Sequence, residues 1–165
     1  MTIVSDTSPL SYLVLIGVED VLPTLYGQIL IPKTVHRELE HPRGPETIRD
    51  WIKTAPSWLG VREVESTGET RVSDSEAGDL QSLDPGERKA IVLAKQRDAE
   101  FLLIDERAGR RIARAHGVPV TGTIGVLGAA AKKGHVDAAR VTKALRETSF
   151  RASPDLYRWL LSMQE

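Results

Sequence analysis

Four short apolar runs, each released into a stretch with helical spacing, restrict what this chain can fold into more than any other feature of it. Thr2 to Ser5, Ile29-Leu30-Ile31, Phe101 to Ile104 and Val118 to Thr121 are rich in β-branched and large aliphatic residues and too short for helices. Ser8-Pro9 reads as an N-cap with proline at the first helical position, and Leu10, Leu13 and Val14 give the helix that follows an apolar face ending near Gly17. Val18 to Tyr26 reads as a second short helix stopped by Gly27, and Pro32 starts a third that runs to about His41. The string His41-Pro42-Arg43-Gly44-Pro45 then makes a loop, because proline and glycine suit turns and break helix interiors. Ile48, Trp51, Ile52 and Ala55 recur at i, i+3, i+4 and i+7, the spacing of a helix laid on a core. Further helices are expected over Pro85 to Arg97, Glu106 to His116, Gly125 to Lys133, Asp137 to Thr148 and Pro154 to Met163, the last capped by Ser153. Such alternation implies an α/β fold, a mostly parallel central sheet with helices on both faces. Glu65 to Ser82 is polar and acidic and reads as a mobile insertion or a weak helix, not as a domain boundary. The expectation is one domain over residues 1–165, with a helical tail from about residue 135.

Composition narrows the chemistry more than the fold. At 165 residues, 41% hydrophobic and 27% charged, the chain can bury a core without disulfides or structural metal, and it is neither disordered nor fibrous in composition. Lys and Arg total 22 against 23 Asp and Glu, so a net charge of −1 supplies no overall basic field, and nucleic-acid contact has to use a local patch. Cysteine is absent, which removes disulfide frameworks, thiolate zinc sites and cysteine nucleophiles. No apolar run reaches the roughly 18 residues of a membrane span, and Met1 to Asp6 carries no basic leader, so a cytoplasmic location is expected.

Ligands of a parallel sheet sit outside the carboxyl ends of its strands, and two carboxylates leave there: Asp6 after the first run and Asp105 after Phe101 to Ile104. The last run exits into Thr121-Gly122-Thr123, which supplies hydroxyls. At about 100° per residue, Glu38 lies roughly 60° from Val35 and roughly 100° from Leu39, at the margin of the apolar side. Glu40 lies roughly 140° from Val35 and is expected to face water. Glu87 shares a face with Ala90, Ile91 and Ala94 and is directed toward the core. Four carboxylates in one pocket repel unless a divalent cation neutralises them, and hard ions such as Mg²⁺ and Mn²⁺ prefer oxygen ligands. Such a site could activate water and hold the leaving oxygen of a phosphodiester.

Each of these residues also has a purely structural reading. Asp84-Pro85-Gly86-Glu87 is a good helix start, with Asp84 as N-cap and Glu87 at the capping-box position. Asp6 or Asp105 can cap a helix, and Glu38 can be a rim charge. Arg107, Arg111 and Arg114, with Arg110 beside them, form a basic stripe opposite Ala108, Ile112 and Ala115; it suits RNA phosphates or simply a solvated face. His36 and His41 are five apart, off any common face, which argues against histidine metal ligation. Gly122, Gly125 and Gly128 match neither the P-loop nor the dinucleotide fingerprint and are expected to serve packing or turns.

Five blocks in order resemble the PIN-domain superfamily, in a branch near the VapC-like toxins: Val4-Ser5-Asp6-Thr7-Ser8-Pro9-Leu10; Ile31-Pro32-Lys33-Thr34-Val35-His36-Arg37-Glu38-Leu39; Leu83-Asp84-Pro85-Gly86-Glu87; Leu103-Ile104-Asp105-Glu106-Arg107; and Val120-Thr121-Gly122-Thr123-Ile124-Gly125-Val126-Leu127. The resemblance implies a three-layer PIN-like fold and an Mg²⁺- or Mn²⁺-dependent endoribonuclease. It further implies the toxin of a type II toxin-antitoxin pair with a cognate antitoxin, and a homodimer. Carried over, Asp6 matches the first acid, Glu38 the second, Glu87 the third and Asp105 the fourth. One departure is that the third position is usually Asp, so the longer Glu87 alters metal geometry or marks reduced activity. Ser8, Thr121 and Thr123 match polar positions near the site, and Arg107 and Arg111 are the expected phosphate contacts. Two rivals remain: a non-catalytic module whose acidic pocket takes a partner's Arg or Lys, and a haloacid-dehalogenase-like phosphatase. The phosphatase fits poorly, because Ser8 stands where its proton-transferring Asp is needed.

Overall fold

The computed structural model describes residues 1–64 and 80–164. Its core is a five-stranded, wholly parallel sheet of β1 (Ile3–Ser5), β2 (Ile29–Pro32), β3 (Leu59–Arg62), β4 (Phe101–Leu103) and β5 (Val120–Thr121), in the order β3-β2-β1-β4-β5. Ile3 pairs with Ile29 on one side and Phe101 on the other, so β1 is central. Strand side chains alternate between faces, and the sequence fills both faces with aliphatics. Ile3, Ile29, Ile31 and Leu103 join one core cluster, while Val4, Leu30, Leu102 and Ile104 join the other. This is why the strands read as unbroken apolar runs.

Nine helices are described around the sheet: α1 (Thr7–Leu15), α2 (Val21–Tyr26), α3 (Lys33–Leu39), α4 (Glu46–Lys53), α5 (Pro85–Gln96), α6 (Arg107–Ala115), α7 (Thr123–Lys132), α8 (Ala138–Arg146) and α9 (Pro154–Ser162). Leu10 and Leu13 of α1, Val35 and Leu39 of α3 and Val126 and Leu127 of α7 pack on the first face. Ala90, Ile91 and Ala94 of α5 and Ile112 and Ala113 of α6 pack on the second. The three-layer α/β arrangement is therefore as expected. No helix among the described residues is long and apolar enough to cross a membrane.

The structure differs from the sequence-based expectation in several places. β3 was not expected; it is an edge strand in which only Leu59 and Val61 are apolar, so it lacks the continuous apolar run of the other strands. The N-cap of α1 is Asp6 and not Ser8, because α1 begins at Thr7 and Pro9 sits in its first turn, where a missing amide N–H costs no hydrogen bond. α4 ends at Lys53, leaving Ala55 outside it and exposed. α6 buries Gly109, Ile112 and Ala113; Ala115 is exposed, so the inner face is rotated from the Ala108, Ile112 and Ala115 expectation. Most of the expected insertion Glu65 to Ser82, residues 65–79, lies outside the described residues, while Leu80 within it is buried in the second core cluster.

Candidate active site

The strand order reverses at β1. The helix after β1 packs on one face of the sheet and the helix after β4 on the other, so the carboxyl ends of β1 and β4 open a crevice between α1 and α6. Asp6 leaves β1 into that crevice, its amide donating to Leu103 O at 2.8 Å, and Asp105 leaves β4 just past Ile104. Both line one cavity of about 420 Å³, together with Glu38, Glu87, Asp84 and Glu106. The topology thus brings together the four acids singled out in the sequence.

Each acid is held differently. Asp6 is only 5% exposed, and its Oδ1 is buried with no hydrogen-bond partner among the described residues. Burial pushes its pKa up to about 7; the Thr7 amide opposes this, while Asp84, Glu38 and Asp105 add to it. Asp105 is anchored at both oxygens by the first residue of α7: Thr123 N–H donates to Oδ1 and Thr123 Oγ1 to Oδ2, each at 2.7 Å. Burial raises its pKa and these two hydrogen bonds pull it back. Asp105 therefore caps a helix, but α7 and not the α6 that follows it, whose N-cap is Glu106. Glu38 accepts a hydrogen bond from Thr7 Oγ1, and burial raises its pKa against that bond. Glu40 is exposed and pairs with His36 at 2.6 Å, as its helical angle requires. Glu87 is pushed up to about 9, by burial first and then by the side chain of Asp84, with which it shares a hydrogen bond.

Three glycines make room for these carboxylates. A β-carbon at Gly86 would lie 2.6 Å from Glu38 Oε2, one at Gly109 3.1 Å from Glu87 Oε2, and one at Gly122 2.7 Å from Asp105 Oδ1. Gly125 and Gly128 give way to Thr121 and Trp159 in the same manner, so the glycines of this region serve packing.

Of the expected polar neighbours, Ser8 lines the acidic cavity and Thr121 lines a second cavity beside it. Thr123 is fully buried and spends its donors on Asp105, so it positions that acid and is not open to a substrate. Arg107 and Arg111 are exposed and line neither cavity; Arg110 is the arginine of that helix that turns inward, donating to Ile104 O at 3.0 Å.

Two features went unread in the sequence. Asp84 is the N-cap of α5, accepting from Glu87 N–H at 2.9 Å, and it also faces Asp6, Glu38 and Glu87, making a fifth carboxylate of the site. Its capping role explains its position fully, and so masked the second role. Ser149, Phe150 and Arg151, brought there by the α8–α9 connection, complete the cavity's lining beside Tyr12 of α1. No sequence spacing places that connection over the site.

Among the described residues, no three acid or histidine side chains already stand as a ligand set for an ion. The donor chemistry still fits a hard divalent cation: six carboxylates line the cavity, burial holds Asp6 and Glu87 well above their usual pKa, and among the described residues Asp6 Oδ1 has no partner.

No curated protein matches the chain. The model of the DUF3368 family, described as a PIN domain, matches residues 2–165. PIN domains are in general nucleases and typically use divalent metals. With its carboxylates gathered at the switch point of a parallel sheet and a family match from residue 2 to residue 165, the chain belongs to the PIN-domain family.

Proposed function

We propose that the chain is an Mg²⁺- or Mn²⁺-dependent endoribonuclease that hydrolyses RNA phosphodiester bonds in the acidic cavity. The observation that carries the reading is the buried Oδ1 of Asp6, which has no hydrogen-bond partner among the described residues and lies in one cavity with Glu38, Asp84, Glu87 and Asp105. In this reading Asp6 and Asp105 would hold the metal most directly, with Glu38 and Glu87 completing the set or orienting water. A bound divalent ion supplies charge to balance the carboxylates and acidity to lower the pKa of a coordinated water. The residues of the chain do the rest. Thr123 fixes both oxygens of Asp105, Thr7 fixes Glu38, and burial, aided by the Asp84 side chain, holds Glu87 protonated up to about pH 9, a proton it would release on joining a ligand set. Because no ligand set stands ready-made among the described residues, Asp6, Glu38, Glu87 and Asp105 would have to shift towards one another to hold an ion.

Asp6→Asn and Asp105→Asn test the reading. Each is expected to abolish Mn²⁺-dependent cleavage of a single-stranded RNA while the fold, read by circular dichroism, is retained; undiminished cleavage by both overturns it. The family's toxin-antitoxin habit extends the proposal to a homodimeric toxin with a cognate antitoxin, for which growth arrest on expression of the chain is the test.

A second reading is favoured by one observation: both oxygens of Asp105 are already engaged by Thr123. A non-catalytic pocket that takes a partner's Arg or Lys has the same appearance. Absence of Mn²⁺ binding by calorimetry together with tight binding of a basic peptide selects this reading.

A further inference from the structure

A second cavity of about 420 Å³ opens beside the acidic one and shares Asp105, Phe150 and Arg151 with it. Its character is different. Phe150, Leu156 and Trp159 form apolar walls, and Arg110 and Arg151 supply cationic edges. Leu156 and Trp159 are 47% and 41% exposed, unusual for large apolar residues one turn apart on one helix. The walls are nevertheless built. A β-carbon at Gly128 would lie 2.5 Å from Trp159 Cζ3, so that glycine lets the indole lie against α7. Phe150 is held edge-on against Tyr12 with ring centroids 5.0 Å apart, at the boundary between the two cavities. Arg110 is tied to Ile104 O, and a β-carbon at Gly122 would lie 2.9 Å from Arg110 Nη1 and 2.7 Å from Asp105 Oδ1, so the guanidinium stands beside that acid.

We infer that this cleft is the subsite for one unpaired nucleobase next to the phosphate presented to the carboxylates, with Arg110 and Arg151 on the phosphate flanking it. The inference rests on the nuclease reading and adds to it a grip on one base beside the cleaved phosphate. A nucleotide joins a flat apolar ring to an anion by a short covalent link, and the cleft offers aromatic side chains and guanidinium groups together, with Phe150 and Arg151 shared with the acidic cavity. The cavity volume suits a small ring system. A base paired and stacked in a duplex cannot enter it, whereas an unpaired base can be splayed onto an aromatic side chain.

Binding without cleavage tests the inference. A fluorescein-labelled single-stranded RNA, a DNA of the same sequence and the corresponding duplex are titrated with the chain in EDTA, and binding is read by anisotropy. Single strands are expected to bind and the duplex to bind much more weakly; equal affinity for RNA and DNA assigns recognition to the base, and a preference for RNA adds the 2′-hydroxyl. Trp159→Ala is expected to weaken single-strand binding by about tenfold, and Trp159→Phe by clearly less, since a ring remains to stack. Arg151→Gln is expected to weaken it and to flatten its salt dependence. Thermal melts establish that each variant is folded. A 5-iodouridine placed in the RNA is expected to photocrosslink to Phe150 or Trp159. Unchanged affinity in folded Trp159→Ala, or crosslinks only outside the cleft, overturns the subsite. So does conversion of a dimer to a monomer by Trp159→Ala, which makes the cleft a contact between copies, or displacement of the RNA contact by a peptide partner. The two readings fail separately. If the wild type does not cleave with Mn²⁺ yet binds single strands through Trp159, the nuclease reading falls and the subsite stands; if it cleaves and Trp159→Ala raises neither Kd nor KM, the subsite falls alone.

Discussion

Asp6→Asn should make the protein more stable while removing its activity. Asp6 is 5% exposed and its pKa is raised from 3.8 to about 7, by burial above all. Between those two pH values the folded chain binds more protons than the unfolded one, so stability falls as pH rises across that window, and the penalty is complete above about pH 7. At about 1.4 kcal/mol per pH unit, the 3.2 units between 3.8 and 7 correspond to an upper bound of roughly 4 kcal/mol. Asparagine keeps the shape and removes the charge, so it recovers part of that penalty. With about 2–4 °C of Tm per kcal/mol in a chain of this size, a gain of several degrees, up to roughly 15 °C, is expected at pH 8 in EDTA. The gain shrinks towards zero near pH 4, where the wild-type carboxyl is itself protonated. Mn²⁺ reverses the ranking: it stabilises the wild type by mass action and the variant far less. Differential scanning calorimetry at pH 4 and pH 8, with and without Mn²⁺, reads all four conditions. A variant less stable than the wild type at pH 8 in EDTA refutes the view that Asp6 is an uncompensated buried charge.

Three further outcomes follow from the same geometry. Thr123→Val removes the 2.7 Å bond from Oγ1 to Asp105 in a fully buried setting, so it should cost about 1–3 kcal/mol in urea unfolding and lower kcat for RNA cleavage; loss of neither means that Asp105 is not held by this hydroxyl. Gly86→Ala places a β-carbon 2.6 Å from Glu38 Oε2, so the carboxylate has to move; cleavage should fall at least tenfold with little change in Tm, and full activity contradicts the placement of Glu38. Because Glu87 is held protonated up to about pH 9 and Asp6 to about pH 7, Mn²⁺ binding should release protons and tighten as pH rises from 6 to 9; calorimetry in two buffers of different ionisation enthalpy measures this, and affinity independent of pH argues against carboxylate displacement.

What could be read from the sequence was set by local regularity. The central strands were legible because parallel strands buried on both faces are unbroken apolar runs, as Ile29-Leu30-Ile31 shows, whereas the edge strand Leu59–Arg62 lacks that run and passed unnoticed. Asp6 and Asp105 were found because the residue leaving a central strand is fixed by topology, and Glu38 and Glu87 because helical angle orients a side chain. Glu40 turning to water beside His36 confirms the angular argument for its neighbour. Asp84 escaped because a complete local role, capping α5, hid a tertiary one. Arg110 was passed over for Arg107 and Arg111 because the inner face of α6 is set by Gly109, Ile112 and Ala113, and a glycine gives no apolar signal. Phe150, Arg151 and Trp159 reach the site only through the packing of α9 on α7 and α8, a long-range fact that no spacing encodes.

The central claim is that distant acids converge on one divalent ion, and crystals soaked in Mn²⁺ test it most directly. The account predicts an anomalous-scattering peak between Asp6 and Asp105, about 2.1 Å from a carboxylate oxygen of each, and loss of that peak in Asp6→Asn. Saturating Mn²⁺ with no peak in the acidic cavity, or a peak unaffected by Asp6→Asn, contradicts it.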